Sequence, residues 1–181
     1  MIGTVYKKTV YYMKLIFLGI GSNLKNPARQ VRLALKNIQK QKEFFEFRSS
    51  SLYQTTPISD IPQEDFINAV CQFKTLWSLK KLFKELCRIE RVMGKKPKLQ
   101  NAPRIIDIDL LLYGTEFVDT AELSIPHPRM LERLFVLKPL SDLQDEIEFP
   151  LSNTRSLKVD LKKECNQLES KEPDKIVKII G

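Results

Sequence analysis

The chain has 181 residues, enough for one domain that buries a hydrophobic core without disulfide or metal cross-links. Hydrophobic residues make up 43% and charged residues 29%, a balance that excludes a disordered chain, and six glycines and ten prolines exclude a collagen-like one. No apolar run reaches the roughly 20 residues that span a bilayer. The net charge of +8 indicates either a solvated basic surface or an anionic partner.

Cysteine and histidine are too sparse for a zinc site. Cys71, Cys87 and Cys165 lie far apart, no CxxC pair occurs, and the chain has one histidine. This pattern predicts three reduced, mostly buried thiols in a cytosolic protein. Residues 1–13 lack the apolar segment and cleavage site of a secretory signal, so we expect an N-terminal extension outside the fold.

The first half of the chain predicts three strands and one helix. A short apolar run at 14–20, closed by Gly-Ser-Asn, is typical of a buried strand followed by a turn. Asn26 before a proline predicts a helix N-cap, and apolar residues at helical spacing extend that helix to about residue 41. Aromatic and hydroxyl residues predict a strand at 44–55, and alternating apolar residues predict another at 66–77.

The second half predicts two helices and two strands. Ser78 is the predicted N-cap of a helix that ends at Gly94, its C′ residue. A strand is expected at 105–113, and a short helix at about 129–136. The apolar residues at 176–180 are compatible with one last short strand.

The predicted elements follow the order β-α-β-β-α-β, which is the order of ferredoxin-like α+β domains. We therefore expect an antiparallel sheet with two helices packed on one of its faces. The expected division is an N-terminal extension at 1–13, one domain at 14–150 and a lysine-rich tail at 151–181, either docked on the domain or free.

Two aspartates on one strand face are the strongest chemical signal in the sequence. Because alternate side chains of a strand share a face, Asp107 and Asp109 are expected side by side, with Cα atoms about 6.5–7 Å apart. Buried carboxylates need a compensating cation, and Mg²⁺ is commonly held by one or two carboxylates together with substrate phosphates. A solvated polar face is the alternative, although Leu111 and Tyr113 are expected to continue this face as apolar residues. The opposite face is predicted to carry Ile106, Ile108, Leu110 and Leu112.

Basic residues near these aspartates have two interpretations each. Arg104 is either a salt-bridge partner of the aspartates or a phosphate ligand. His127, held between two prolines, is a weak signal by itself. Arg129 and Arg133, four residues apart, predict a shared helix face that is either an anion site or solvated. The lysines of the 95–103 loop either are solvated or clamp phosphates.

The sequence lacks the motifs of several other enzyme classes. Gly94 and the two lysines after it do not complete a Walker A motif, and Gly19 and Gly21 lack the third glycine of a dinucleotide fingerprint. No GxSxG motif or Cys/His pair indicates a nucleophile. Two carboxylates with scattered basic residues favour phosphoryl-type transfer, in which the protein mainly positions groups and neutralises charge.

Five segments together resemble the 6-hydroxymethyl-7,8-dihydropterin pyrophosphokinase family. The resemblance covers about residues 14–150, and the combination of PRxxDxD with PHPRM is highly specific, whereas each piece alone is not. The segments are Gly19–Leu24, Ser50–Pro57, Asp65–Asn68, Pro103–Asp109 and Pro126–Met130, the last continuing through Phe135.

The resemblance implies transfer of a diphosphate from ATP to the hydroxymethyl group of 6-hydroxymethyl-7,8-dihydropterin, with release of AMP, in folate biosynthesis. It implies a ferredoxin-like fold and two Mg²⁺ ions held by Asp107 and Asp109, with Arg104 as a further catalytic residue. The ATP contacts that it implies are Glu90, Lys95, Lys98, Arg104, Leu110, Leu123, Ser124, His127 and Arg133.

The same resemblance implies a pterin site. Phe66 and Phe135 match the pair that sandwiches the ring, and a flat heterocycle favours two aromatic faces. Phe66 and Asn68 share strand parity, so both can face one pocket. The residues that match the polar wall around the ring are Thr55, Thr56, Ile58 and Asn68.

The chain departs from the family pattern in the loop at 95–103. The family usually carries Arg-Trp-Gly-Pro-Arg where this chain has Gln-Asn-Ala-Pro-Arg at 100–104, so the tryptophan that seals the closed loop is missing. Lys95 stands where the family often has arginine, which removes bidentate phosphate binding at that position. We expect a more mobile loop that closes on the substrates through the charge of its lysines.

Two other function classes share single features with this sequence. An RNA-recognition module has the same element order and a basic charge, but no RNP1-like aromatic stretch is present. A two-metal nuclease would use the same two aspartates. The favoured interpretation is a cytoplasmic, monomeric enzyme with small-molecule substrates and with neither a nucleic acid nor a membrane as partner.

Overall fold

A computed structural model describes residues 12–57, 62–95, 102–171 and the backbone of 176–179. The expected extension at 1–13 therefore lies almost entirely outside the described residues. So do the predicted site residues Ile58 and Lys98, and most of the loop at 95–103.

The described residues form ten strands, four α-helices and one 3₁₀ turn. The strands are β1 Lys14–Ser22, β2 Phe45–Ser49, β3 Leu52–Thr55, β4 Phe66–Thr75, β5 Asp107–Tyr113, β6 Val118–Asp119, β7 Ser124–Ile125, β8 Glu146–Ser152, β9 Arg155–Asp160 and β10 Ile176–Ile179. The helices are α1 Pro27–Gln39, α2 Leu79–Val92, α3 Leu134–Ser141 and α4 Leu161–Lys171, with the 3₁₀ turn at Met130–Glu132.

The main sheet has six strands in the order β10-β3-β4-β1-β5, with β2 also paired to β4. Each of these pairings is antiparallel. The central strands β1 and β4 pair over nine residues, from Lys14 opposite Thr75 to Ser22 opposite Ile67. The prediction of a ferredoxin-like α+β fold is confirmed, with helices packed on an antiparallel sheet.

Both long helices begin where their cap residues predict. The Asn26 side chain accepts a hydrogen bond from the backbone N–H of Arg29, and Pro27 occupies the first helical position. The Ser78 hydroxyl accepts from the N–H of Lys81 in the same way. Helix α2 ends just before Gly94, whose φ of 91° is a conformation that glycine adopts without strain.

The predicted strand at 44–55 is two strands rather than one. Ser50 interrupts it: its N–H donates to the carbonyl of Val70, and its hydroxyl accepts from the N–H of Val70. Glu46 also has a positive φ of 52°, which bends β2 away from regular pairing. A serine side chain that competes for ladder hydrogen bonds is a local feature that strand propensity does not detect.

Helices cover both faces of the sheet, so the expectation of two helices on one face is incomplete. One core cluster joins the sheet to α1 and α2, through residues such as Val31 and Leu82. A second cluster joins the opposite face to α3, α4 and the β8–β9 hairpin, through residues such as Leu137 and Leu161. This explains why eight of the ten β4 residues are buried instead of every second one.

A bulge in β5 changes the predicted side-chain alternation. Phe17 pairs with Leu112 and Leu18 pairs with Leu110, so Leu111 is an extra residue opposite β1. Beyond it the parity reverses, and Leu112 belongs to the α3 side of the sheet whereas Tyr113 packs with the α1 and α2 cluster. The predicted faces of Leu112 and Tyr113 were therefore wrong, while those of residues 106–111 agree with the structure.

The predicted helix at 129–136 is also divided. A 3₁₀ turn at Met130–Glu132 is followed by α3, and Arg133 between them is extended, with φ −118° and ψ 107°. Arg129 and Arg133 therefore do not share a face of one helix, and that prediction was wrong.

The C-terminal part of the chain is folded up to residue 171 and contributes one more strand. The β8–β9 hairpin crosses residue 150, and α4 packs on α3 through buried Leu161 and Cys165. Strand β10 adds to the edge of β3. The division at residue 150 stays a prediction.

Two further expectations concern thiols and membranes. All three cysteines are free, as predicted, and Cys71 and Cys165 are buried. Among the described helices, none combines the length and apolar character needed to cross a membrane.

Candidate active site

Two glycines of β1 form the floor of a cavity on the sheet face beneath α3. Gly19 lies between Asp109 of β5 and Val70 of β4, and Gly21 lies between Asp107 and Asn68. Because these glycines lack side chains, the acidic side chains of β5 and the polar wall of β4 can face the same space. The strand register therefore brings the predicted aspartate pair of β5 close to Asn68 of β4, which the resemblance assigns to the pterin.

Nine of the predicted site residues line this one cavity, whose volume is about 190 Å³. It is bounded by β1, β3, β4, β5 and the start of α3. The nine are Thr55, Thr56, Phe66, Asn68, Arg104, Asp107, Asp109, Arg133 and Phe135.

Two basic side chains neutralise Asp107. Lys95 Nζ lies 2.7 Å from one carboxylate oxygen, and the Arg104 guanidinium pairs with the other. The side chain of Asp107 is only 8% exposed, so both ion pairs lie in a site that is largely shielded from water. Of the two interpretations of Arg104, the salt bridge is thus present in this structure, and it still leaves the guanidinium at the cavity wall.

Glu90 connects the end of α2 to β5 beside the site. Its Oε1 accepts from the backbone N–H of Ile108 at 2.7 Å and pairs with Lys95. Burial raises the pKa of Glu90, although the bonds from Lys95 and Ile108 oppose this effect. For Lys95, burial lowers the pKa, but hydrogen bonds to Asp107 and Glu90 outweigh burial and the pKa is raised. Lys95 is therefore held as a cation between two carboxylates.

His127 and Arg133 approach the site from the segment before α3. Burial lowers the pKa of His127, and the nearby charge of Asp109 only partly opposes this. The N–H of Arg129 donates to His127 Nδ1 at 3.3 Å, which leaves the proton of a neutral imidazole on Nε2. Burial, followed by repulsion from Arg129, lowers the pKa of Arg133.

The residues that the resemblance assigns to the pterin contact one another at the cavity wall. Asn68 Nδ2 donates to the hydroxyl of Thr55 at 2.8 Å, and both side chains are buried. The Arg104 guanidinium lies 5.7 Å from the ring centre of Phe66, and that of Arg133 lies 5.5 Å from the ring centre of Phe135. Cations therefore flank both rings that the resemblance assigns to the pterin.

Six of the predicted ATP contacts that the structure describes are not among the residues that line the cavity: Glu90, Lys95, Leu110, Leu123, Ser124 and His127. The side chain of Leu110 is in the core on the opposite sheet face, packed with the α1 and α2 cluster. Leu123 packs at the edge of that same cluster, and Ser124 donates to Asp119 at 3.0 Å on the β6–β7 hairpin. Leu123 and Ser124 lie in the hairpin region next to β5, outside the cavity itself.

Several cavity residues were absent from the predicted site. The spacing of Gly19 and Gly21 on a strand opposite the aspartates was the available signal, since a two-residue period places them on one face. Nothing local indicated Gln63, because its position depends on a chain reversal, whereas Arg129 was noted beside Arg133 as a candidate for an anion site. The cavity residues that the prediction omitted are Gly19, Ile20, Gly21, Pro57, Gln63, Ala69, Val70, Leu111 and Val136.

Replacing Gly21 with alanine is expected to weaken binding of the pterin that the resemblance implies. The added Cβ would lie 2.8 Å from Asn68 Oδ1, closer than such contacts normally come, so Asn68 would have to move away from Thr55. We expect the KM for the pterin to rise about tenfold, which corresponds to about 1.4 kcal/mol. At Gly19 the added Cβ would meet only Leu111, at 3.4 Å, so Gly19→Ala is the matched control. Equal pterin KM values for the two variants would contradict the assigned contact.

The low pKa of His127 predicts a pH-dependent contribution to stability. Because its pKa is lower in the folded chain than the ordinary value of 6.5, the folded state binds fewer protons between these two values. The contribution is therefore complete above pH 6.5 and is lost as the pH falls through the folded pKa. Urea unfolding of the wild type and His127→Gln across this range should show a steeper loss for the wild type. Since the chain has one histidine, its NMR titration gives the pKa directly, and a value at or above 6.5 would contradict the prediction.

The carboxylate pair fits Mg²⁺ only if other ligands complete the site. Among the described residues, no group of three or more His, Cys, Asp or Glu side chains could hold a metal ion. Asp107 and Asp109 offer hard oxygen ligands at one cavity, and Mg²⁺ is commonly bound by one or two carboxylates plus substrate phosphates. The residues present therefore fit a magnesium ion that arrives with a nucleotide.

The fold and the cavity define a ferredoxin-like α+β protein in which a carboxylate pair faces basic side chains, an arrangement suited to phosphoryl transfer. The family model for 7,8-dihydro-6-hydroxymethylpterin-pyrophosphokinase matches residues 17–145. The chain belongs to this family, whose activity is ATP-dependent transfer of pyrophosphate to hydroxymethyldihydropterin in folate biosynthesis.

Two similar proteins are named as pyrophosphokinases, and a third is named for folic acid synthesis. The 2-amino-4-hydroxy-6-hydroxymethyldihydropteridine pyrophosphokinase of Haemophilus influenzae is 36% identical over 136 residues, which cover 75% of this chain and 85% of that protein. The Bacillus subtilis protein of the same name is 32% identical over 73% of this chain and 79% of its own length. The folic acid synthesis protein fol1 of Pneumocystis carinii is 36% identical over 76% of this chain, which spans only 18% of that protein.

Solved structures share the fold. The wild-type HPPK-DHPS of Plasmodium falciparum with pteroate superimposes with a TM-score of 0.64 at 17% identity, covering 88% of this chain and 43% of that one. The same protein with pterin and p-hydroxybenzoate gives a TM-score of 0.61 at 14% identity, covering 92% of this chain and 45% of that one. This chain thus spans less than half of these larger proteins.

Proposed function

We propose that the cavity holds both substrates of the family reaction, with Asp107 and Asp109 as ligands of two Mg²⁺ ions that enter with ATP. The observation that carries this proposal is the convergence of nine predicted residues on one cavity. Bound Mg²⁺ would neutralise the phosphate oxygens and so lower the electrostatic barrier to nucleophilic attack. With ATP bound, the carboxylate of Asp107 would be shared between the metal and its present partners, Lys95 and Arg104.

The phosphate side of the proposed site consists of basic side chains. Arg104 and Arg133 supply guanidinium donors that suit phosphate oxygens, and neutral His127 offers its Nε2 proton. Lys95 adds a third fixed cation, and Lys98 is proposed on the resemblance alone. Two further proposed nucleotide contacts, near the adenine and ribose, are Leu123 and Ser124, and Glu90 is proposed as a carboxylate on the nucleotide side. The Leu110 side chain is not part of this set, because it is buried on the opposite face of the sheet.

The proposed pterin side holds the hydroxymethyl group toward the phosphates. Phe66 and Phe135 would sandwich the ring, and Asn68 with the Thr55, Thr56 and Ile58 segment would satisfy its polar edge. Asn68 is already held by Thr55 and sits over Gly21, so its amide is oriented before substrate arrives.

The chemistry then depends on positioning. The hydroxymethyl oxygen forms a bond to the β-phosphorus of ATP, and the bond from that phosphorus to the oxygen bridging it to the α-phosphorus breaks. AMP leaves with that oxygen, and the hydroxyl proton is released to water. The Arg104 guanidinium lies between the ring of Phe66 and the carboxylate of Asp107, so it can contact the diphosphate as it is transferred. We further propose a cytoplasmic monomer without nucleic-acid or membrane partners.

Release of AMP tests this proposal. We expect AMP from ATP only when Mg²⁺ and 6-hydroxymethyl-7,8-dihydropterin are both present, with one pterin diphosphate formed per AMP. Chelation of Mg²⁺ should abolish the release. Degradation of nucleic acid by the same preparation would favour the nuclease alternative, and AMP release without pterin would contradict the proposed transfer.

A further inference from the structure

Asn23, the residue after β1, joins two segments that are distant in sequence. Its side chain is buried, with 2% exposure. Its Oδ1 accepts from the N–H of Arg104 at 2.8 Å, while its Nδ2 donates to Oε1 of Gln63 at 2.9 Å and to the carbonyl of Glu64 at 3.2 Å. One amide thus bridges the segment that enters β5 and the segment that enters β4.

The Arg104 end of this bridge is held on both sides. The N–H of Asn23 donates to the carbonyl of Arg104 at 3.1 Å, so both peptide groups that flank the Arg104 Cα bond to Asn23. The hydroxyl of Ser22 adds a hydrogen bond of 2.6 Å to the carbonyl of Ile105. These contacts fix the backbone from which the Arg104 side chain reaches Asp107.

The Gln63 end leads to the pterin side of the cavity. Gln63 itself lines the cavity, and Phe66 follows three residues later at the start of β4. The Arg104 guanidinium lies 5.7 Å from the ring centre of Phe66, so the two segments also meet at the cavity wall. A shift of the segment that contains Arg104 would therefore displace the segment that contains Gln63 and Phe66, both through Asn23 and through the contact at the cavity wall.

We propose that Asn23 is a positioning residue that couples the phosphate-side Arg104 to the pterin-side segment 62–66. The proposal rests on the function proposed above, in which Arg104 contacts ATP phosphates and Phe66 contacts the pterin. When Arg104 contacts the bound nucleotide, any shift of its backbone changes the hydrogen bond to the Asn23 amide. The same amide donates to Gln63 and so holds Gln63 at the proposed pterin site. We therefore expect bound nucleotide to raise the affinity for the pterin, and we expect Asn23 to contribute to this dependence without touching either substrate.

The chemistry of the amide allows its two connections to be separated. Asn23→Asp keeps an Oδ1 acceptor for the Arg104 N–H but replaces the donor to Gln63 and Glu64 with a second acceptor. Asn23→Ala removes both connections. Thr75→Val is the matched control, because Thr75 is fully buried, accepts a hydrogen bond from the N–H of Trp77 at 3.1 Å, and lies at the far end of β4.

The experiment measures kcat, the KM for each substrate, and pterin affinity by calorimetry with and without a non-hydrolysable ATP analogue and Mg²⁺. For Asn23→Asp we expect the pterin KM to rise about tenfold with kcat within about threefold of wild type. For Asn23→Ala we expect kcat to fall about tenfold as well. In both variants the gain in pterin affinity caused by the analogue should decrease at least about fivefold. Thr75→Val should lower the melting temperature with unchanged kinetics.

If Asn23→Ala does not fold, the inference is tested with Asn23→Asp alone, because that variant keeps the hydrogen bond to the Arg104 N–H. If Asn23→Asp lowers only the melting temperature and leaves the pterin KM and the effect of the analogue as in wild type, Asn23 has a structural role alone and the inference is overturned. A wild-type chain that releases no AMP overturns the proposed function together with this inference. An active wild type with unchanged Asn23→Asp kinetics overturns the inference alone.

Discussion

Replacing Asp109 with asparagine is expected to lower kcat by at least about 10²–10³-fold while the fold survives. The change keeps the shape of the side chain and removes the negative charge that would hold Mg²⁺ against the phosphates of ATP. Asp109 is a half-buried residue of β5, and asparagine has nearly the same size and shape as aspartate. Steady-state AMP release at saturating Mg²⁺ gives kcat, and thermal unfolding reports the fold.

Asp160→Asn is the matched control for this change. Asp160 accepts from the N–H of Lys163 at the start of α4, remote from the cavity, and asparagine preserves that cap. Wild-type kcat in Asp109→Asn at saturating Mg²⁺ would show that the metal assignment is wrong.

Asp107→Ala is expected to differ from Asp109→Asn because it also destabilises the fold. Repulsion between two carboxylates predicts from sequence alone that removing either one is harmless or raises the melting temperature. In the structure Asp107 pairs with Lys95 and Arg104, so its removal leaves two partly buried cations without this partner. We expect a loss of about 1–3 kcal/mol in the free energy of unfolding, lower than for a fully buried pair because both cations are partly exposed.

Replacing Glu90 with alanine is expected to cost about 2–4 kcal/mol in the free energy of unfolding. The substitution leaves the buried N–H of Ile108 without its acceptor and removes one of the two carboxylates that hold Lys95. Because Ile108 lies between Asp107 and Asp109, loosening it should also lower kcat. Urea unfolding with an unchanged m-value would show that the loss is one of stability rather than a change in the unfolded chain.

Glu90→Gln separates the hydrogen bond from the charge. Its amide oxygen can still accept from Ile108, so we expect less than half of the loss seen in Glu90→Ala. Glu85→Ala is the control on the same helix, because among the described residues the ion pair of Glu85 is with Arg88, whose side chain is 57% exposed. Equal stability of Glu90→Ala and Glu85→Ala would contradict the role given to this buried contact.

The elements that the sequence predicted correctly depend on local chemistry. Asn26 and Ser78 bond to backbone groups three residues away, so the starts of α1 and α2 follow from short-range geometry. The shared face of Asp107 and Asp109 follows from the two-residue period of a strand. The resemblance added the roles of these residues, because its motifs join segments that no local pattern connects.

Contacts between distant segments decided the features that the sequence could not predict. The bulge at Leu111 arises from pairing with β1, where one strand has an extra residue, and it reverses the faces of Leu112 and Tyr113. The extended Arg133 breaks a stretch whose residues are otherwise compatible with one helix. Ser50 divides a strand by bonding to Val70 on a neighbouring strand. Each outcome depends on partners that become neighbours only after folding.

The charges of the site were likewise predictable from the sequence only in part. The sequence by itself determined that two carboxylates share a strand face and require a compensating cation, because unpaired buried charge is unfavourable. Only the tertiary structure decided that Lys95 and Arg104 supply that compensation to Asp107. It also decided that Gly21 makes room for Asn68 and that Asn23 reaches both Gln63 and Arg104. Periodicity fixes which way a side chain points on its own element, whereas packing of the elements determines what it meets there.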